Sequence, residues 1–213
     1  MKLSNKIKKS FSLKENNLLK IDSTAKFFIE IFDLEDLKNI QNFTSTKKIN
    51  FCILGEGSNV VLPNLLNKFV IKISFNEISL EDNSITVGAG KNWDDFVLWS
   101  LENGYCGLEN LSGIPGSIGA APIQNIGAYG VEIKDIFISC SGYFLNTLEK
   151  KKFKLNDCQF SYRSSIFKKS LRNKFIITEV VLQLSKTNHK ISKSYKSINC
   201  LLYTSDAADD QLG

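Results

Sequence analysis

Apolar residues along this chain gather in short runs, most with the pattern of strands and only two with helical spacing. Residues 25–31 (AKFFIEI) and 49–54 (INFCIL) are compact apolar runs that read as strands, the second a buried one. Residues 69–73 and 84–87 read as two more. Residues 33–40 carry Leu34, Leu37 and Ile40 at helical spacing and predict a short helix. The clearest helix covers residues 92–103. Asn92 can cap it, Asp94 and Asp95 sit in the first turn where the helix dipole favours acids, and Gly104 supplies a stop. Trp93, Phe96, Val97 and Leu101 give that helix one apolar face. Beyond residue 135, segments 136–145, 151–155 and 175–184 read as strands, and the short connection between the first two predicts an antiparallel meander. Residues 1–20 are polar and rich in Lys and Asn, as expected of an arm. The element order predicts a mixed α+β fold and not a regular βαβ series.

Glycine-rich segments interrupt this pattern. The first follows the 49–54 strand as Gly55, Glu56, Gly57, Ser58 and Asn59. Successive amides in such a turn can form an anion-binding nest, and Ser58 and Asn59 add donors. No third glycine stands at the spacing of a dinucleotide fingerprint, so a tight structural turn and a phosphate site are both open. The second segment, residues 107–130 (GLENLSGIPGSIGAAPIQNIGAYG), is far longer. Its glycines at 107, 113, 116, 119, 127 and 130 are joined by Ser117, Ala120 and Ala121 and stiffened by Pro115 and Pro122. So many small residues would be a liability in a mere connection. Close packing against a flat or charged ligand offsets that, and Gln124 and Asn125 offer amide groups for a heterocycle edge. A purely structural Ω-loop is the other reading. In residues 159–168 (QFSYRSSIFK), Tyr162 and Arg163 lie between apolar neighbours. An arginine there is a structural ion-pair partner or an anchor for a carboxylate or phosphate.

Composition narrows the setting. With 43% hydrophobic and 23% charged residues in 213, the chain can form a core without staples. The net charge of +5 comes from scattered lysines with no basic stripe of interleaved aromatics, which disfavours nucleic acid and leaves an anionic small molecule as partner. The five cysteines (Cys52, Cys106, Cys140, Cys158 and Cys200) never form a C-x-x-C pair, so neither a disulfide framework nor a metal site is expected. No apolar run is long enough to span a bilayer, and no secretory leader is evident, which points to the cytoplasm.

Four segments together resemble the UDP-N-acetylenolpyruvoylglucosamine reductase (MurB) family, in its longer class: ILGEGSNV at 53–60, VGAGKNWDDFV at 87–97, GLENLSGIPGSIGAAPIQNIGAYGVE at 107–132 and FSYRSSIFK at 160–168. Asn16, Asn17, Leu18 and Ala25 fit the family's N-terminal pattern, and order and spacing agree from about residue 16 to 186. The resemblance implies the FAD-binding fold of vanillyl-alcohol-oxidase-like flavoproteins, with two subdomains, 21–73 and 74–199, clamping FAD. It implies that Gly55, Glu56, Gly57, Ser58 and Asn59, with Gly116, Ser117, Gly119, Ala120 and Ala121, hold the pyrophosphate side. Ile123, Gln124, Asn125 and Gly127 would line the flavin. Arg163 matches the catalytic arginine, whose guanidinium can stabilise an enolate on the substrate, and Tyr129, Tyr162 and Tyr195 match the substrate side. NADPH would be the reductant, a UDP-sugar the substrate, and the state monomeric. A flavin oxidase with a histidine-linked cofactor is the competing flavoprotein; the one histidine, His189, lies past the flavin segments.

The family also has a third, substrate-binding domain that supplies a proton-donating serine and an assisting glutamate, and these have no counterpart here. The chain leaves the family pattern near Asn199. Residues 200–213 resemble the in-frame translation of a transposase adapter used in sequencing and are expected to be non-native; a genomic contig that itself encodes them would overturn this. The parent protein is thus expected to carry the reaction, and this stretch alone to act as an FAD-binding module without turnover.

Overall fold

A computed structural model describes residues 6–47, 50–81 and 84–186. Two sheets and two α-helices form its frame. The first sheet has the order β1 (Lys8–Ser12), β2 (Thr24–Ile31), β4 (Leu65–Ile73), β3 (Phe51–Leu54). Residues 8–12, within the segment expected as an arm, form an antiparallel edge strand on β2, with Phe11 opposite Ala25. β2 and β3 both run parallel to β4. Strands paired on both sides and covered on both faces read as near-continuous apolar runs. This is why β2 and the second half of β4 look as they do. Helix α1 (Leu34–Lys47) crosses from β2 to β3 and buries Leu37 and Ile40. It runs further than its apolar residues predict.

The second sheet has the order β10 (Lys150–Lys154), β9 (Phe137–Phe144), β11 (Phe175–Gln183), β6 (Ser84–Gly88), β5 (Ile78–Glu81), every pair antiparallel. The meander expected from residues 136–155 is present as β9 and β10. The lysine-rich β10 lies on the edge, where charged side chains discourage further strand addition. A short hairpin, β7 (Gly127–Ala128) with β8 (Val131–Glu132), ends the long glycine block.

Helix α2 (Trp93–Glu102) matches its sequence signals. Asn92 Oδ1 accepts from the Asp95 amide at 3.1 Å, and Gly104 follows at φ +75°. Trp93, Phe96 and Val97 are buried, and Trp93 Nε1 donates to the Leu111 carbonyl at 2.9 Å. Leu101, by contrast, is partly exposed. One apolar core runs from Ile29, Ile31 and Ile71 through Val87, Phe96, Leu111 and Ile118 to Cys140, Val180 and Leu182. It fixes the base of both glycine segments. Leu13, Ala25, Phe28, Leu54, Leu62 and Val70 make a smaller cluster under β1.

Candidate cofactor site

The first glycine loop leaves the C-terminal end of β3, and residues 116–124 stand opposite it. At Gly55 a Cβ would lie 2.8 Å from Ser117 Oγ and 3.7 Å from Ala120 Cβ. At Gly116 it would lie 3.4 Å from Ser58 Oγ. Asn59 Nδ2 donates to Gln124 Oε1 at 2.7 Å. Gly55, Ser58, Asn59, Gly116, Ser117, Ala120 and Gln124 are therefore brought together, and any side chain at Gly55 would fill the gap between the loops.

Other members of the predicted set shape these loops from behind. Gly57 has φ +64°, and a Cβ there would meet the Asn16 carbonyl at 2.2 Å. Its carbonyl accepts from the Leu18 amide at 3.2 Å. The platform beneath it is Asn17, buried, whose side chain donates to Leu13 O at 2.8 Å and Ile21 O at 3.0 Å and accepts from the Ile21 amide at 2.9 Å. Glu56 lies 3.8 Å from Lys72 Nζ, so a cation stands beside its carboxylate. Gly119 donates to the Ala89 carbonyl at 2.8 Å, and a Cβ there would come within 2.6 Å of Ala89 Cβ. Ala121 is buried. The segment Gly88, Ala89, Gly90 thus serves as the seat of the second loop. Asp94, read from sequence as a helix-dipole residue, also accepts from Ser112 Oγ at 3.1 Å and the Gly113 amide at 2.6 Å, tethering the start of the block.

From the last turn of the 3-10 segment Ile118–Gln124 onward, the chain divides into exposed and buried positions. Ile123 is 38% and Tyr129 47% exposed, whereas Asn125 is fully buried with φ +47°. Asn125 Nδ2 donates to the Ser161 carbonyl at 3.2 Å and its Oδ1 accepts from the Lys134 amide at 3.3 Å. Its amide therefore meets the protein and not an open surface. Gly127 pairs with Glu132 across β7 and β8.

Arg163 sits on a tight turn closed by mutual backbone bonds between Ser161 and Ser164, both 3.0 Å. It has φ +51°, its guanidinium carbon lies 5.9 Å from the centre of the exposed Tyr162 ring, and its carbonyl accepts from Lys168 Nζ at 3.0 Å. Behind the turn, the buried Ser165 donates its hydroxyl to the Ile123 carbonyl at 2.7 Å. Glu132 pairs with Lys134; this pair holds the Glu132 carboxyl below its ordinary range and Lys134 above its own, with Asn125 and the Arg163 charge also lowering Glu132. Sequence reasoning missed Ser165 and Glu132. A serine between Ser164 and Ile166 carries no distinguishing signal, and Glu132 stands at the far end of the block. Tyr195, His189 and the segment 200–213 lie outside the described residues.

A model of the FAD binding domain family matches residues 25–143, more than half of the chain. The chain belongs to the FAD binding domain family. Its residues fit that cofactor. Among the described residues no backbone carbonyl accepts from the amides of Glu56, Gly57, Ser58 or Asn59, which leaves donors for an anionic diphosphate, and a Cβ at Gly55 would come within 2.8 Å of Ser117 Oγ on the facing loop. Among curated members, the chain is 46% identical over 197 residues to a UDP-N-acetylenolpyruvoylglucosamine reductase of Flavobacterium johnsoniae, covering 90% of this chain and 58% of the relative. It is 43% identical over 187 residues to the enzyme of that name from Bdellovibrio bacteriovorus, covering 85% of this chain and 56% of the relative. The chain thus spans a little over half the length of these relatives. The fold of this FAD binding domain matches the MurB structure of Thermus caldophilus, with TM-score 0.68 and 24% identity over 94% of this chain and 68% of that one. An alkyldihydroxyacetonephosphate synthase shares the fold at TM-score 0.61 and 13% identity, over 87% of this chain and 39% of that one. The fold is the FAD-binding type common to MurB and the vanillyl-alcohol-oxidase-like flavoproteins.

Proposed function

We propose that the whole protein is a UDP-N-acetylmuramate dehydrogenase, reducing UDP-N-acetylglucosamine enolpyruvate with NADPH in peptidoglycan precursor synthesis. The observation that carries the reading is the clasp of the Arg163 turn onto the second glycine loop, through Ser165 to Ile123 and Asn125 to Ser161. The chemistry that bound FAD supplies is two-electron transfer from NADPH to an enolpyruvyl double bond. Glu56, Gly57, Ser58 and Asn59 offer amides to the diphosphate, opposite Gly116, Ser117 and Ala120. Ile123 gives an apolar wall for a flat ring. Arg163, permanently cationic, stabilises the negative charge that develops on the substrate carboxylate side when hydride arrives. Tyr129 and Tyr162, both exposed, contact the UDP-sugar, and the family resemblance gives Tyr195 the same role. Gly119, Ala121, Asn125 and Gly127 act on the cofactor by shaping the loop.

In this reading the enzyme is cytoplasmic and monomeric, which fractionation and light scattering check. NADPH oxidation by the full-length enzyme, followed with and without the enolpyruvyl substrate, tests the activity. Substrate-dependent oxidation with appearance of UDP-N-acetylmuramate supports it; equal rates with and without substrate overturn it. Run on the 213-residue chain alone, the same assay separates an FAD-binding module from an enzyme.

A further inference from the structure

Asn125 and Ser165 do a job that cofactor contact does not explain. Both side chains are fully buried, and each spans two segments far apart in sequence. Ser165 Oγ donates to Ile123 O at 2.7 Å and accepts from the Phe167 amide at 3.2 Å. Asn125 Nδ2 donates to Ser161 O at 3.2 Å while Oδ1 holds the Lys134 amide at 3.3 Å. The two bonds grip the Arg163 turn on either side, at Ser161 and at Ser165, and both end on the stretch Ile123 to Asn125. The tip of the turn is exposed, Tyr162 at 83% and Arg163 beside it, and apart from its own Ser161–Ser164 bonds and the Lys168 contact to the Arg163 carbonyl, these two side chains are what join it to the cofactor loop. The Arg163 backbone occupies the left-handed region, which a non-glycine residue keeps only when its surroundings enforce it.

We propose that Asn125 and Ser165 are positioning residues that make the order of the Arg163 turn depend on the cofactor-binding loop. Ile123 is partly exposed while its carbonyl is engaged by the Ser165 hydroxyl. A ligand that immobilises Ile123 immobilises the acceptor of the Ser165 hydroxyl, and through it the turn. Asn125, in the left-handed conformation at the end of the 3-10 turn, transmits the same restraint to Ser161. An empty loop leaves the turn free to open locally, and a filled one sets the guanidinium in place before substrate arrives. The inference rests on residues 117–129 being the FAD-side loop, but not on the identity of the substrate.

Amide hydrogen exchange of the protein with and without FAD tests this, with the Ser164, Ile166 and Phe167 amides as reporters and amides of β9 and β11 as controls. FAD is expected to slow exchange at the reporters by about tenfold or more, beyond any change in the controls. Ser165→Ala is expected to keep FAD, seen by its absorbance, and to lose most of that FAD-dependent slowing; Asn125→Ala, which lies in the cofactor loop and is expected to bind FAD more weakly, is the second variant and is read at saturating FAD. Equal FAD-dependent protection in wild type and both variants overturns the proposal, as does wild-type protection that rises only in step with the controls. Failure of the protein to take up FAD at all instead contradicts the cofactor reading itself. Absence of UDP-sugar turnover with the protection intact contradicts only the proposed reaction.

Discussion

Asn59 and Gln124 join the two glycine loops directly, Nδ2 of one donating to Oε1 of the other at 2.7 Å across sixty-five positions of sequence. The bond is exposed, so its net contribution is modest, about 1 kcal/mol. Its geometric effect is larger, because it sets the width of the gap between Gly55 and Ser117. Asn59→Ala and Gln124→Ala are each expected to weaken FAD binding by about three- to tenfold. The double variant is expected to be no weaker than the worse single one, because both remove the same link. Fluorescence titration with FAD measures all three.

Gly142 on β9 is a stability prediction outside the site. A Cβ there would stand 1.9 Å from the Ile176 carbonyl of β11, a backbone atom that cannot swing away. β9 and β11 pair at the centre of the second sheet, so Gly142→Ala forces them apart. The expected loss is about 2–4 kcal/mol, read from the midpoint and slope of urea unfolding.

The strands of the core were legible in the sequence for a physical reason. β2 and β11 are central, so most of their positions are apolar, and α2 carries both its cap and its acidic first turn. β1 and β5 lie on sheet edges with most side chains in solvent, and Lys-Lys-Ser-Phe-Ser shows no run to read. The glycine block announced a cofactor loop by composition, and its wording gave the family. What composition could not show is the division of labour inside it. Asn125 and Gln124 are neighbours of the same chemistry, yet one faces Asn59 and the other is buried against Ser161, thirty-six residues downstream. Only tertiary packing separates them.

The Glu132–Lys134 pair gives a pH prediction. The Glu132 carboxyl titrates below its ordinary value, chiefly through its hydrogen bond with Lys134. A depressed acid contributes stability above its unfolded pKa, and this is lost as pH falls through the lower folded value. Lys134 is raised by the same bond, so its contribution holds below its unfolded pKa and is lost as pH rises through the folded one. Lys134→Ala is expected to move the Glu132 midpoint up toward the ordinary glutamate value. Carboxyl-carbon NMR titration reads this, and an unmoved midpoint would exclude Lys134 as the main cause.

Cys140 and Cys158 are buried and face one another, and the neighbouring thiol together with burial pushes Cys140 far above its usual range. Because the thiolate is the reacting form, Cys140 should resist labelling in the native protein, and burial should shield Cys158 from the reagent. Mass spectrometry after brief maleimide treatment is expected to find Cys140 and Cys158 unmodified, and modified once urea unfolds the chain.

The central claim is that the loops at residues 55–59 and 116–124 form one cradle for FAD. Calorimetric titration of the purified protein with FAD tests it most directly, alongside Gly55→Val, whose side chain would fill the space in front of Ser117. The expected result is saturable binding of about one FAD per chain in the wild type, and its loss in a Gly55→Val protein with an unchanged circular dichroism spectrum. No binding by the folded wild type, or equal binding by the variant, would contradict it.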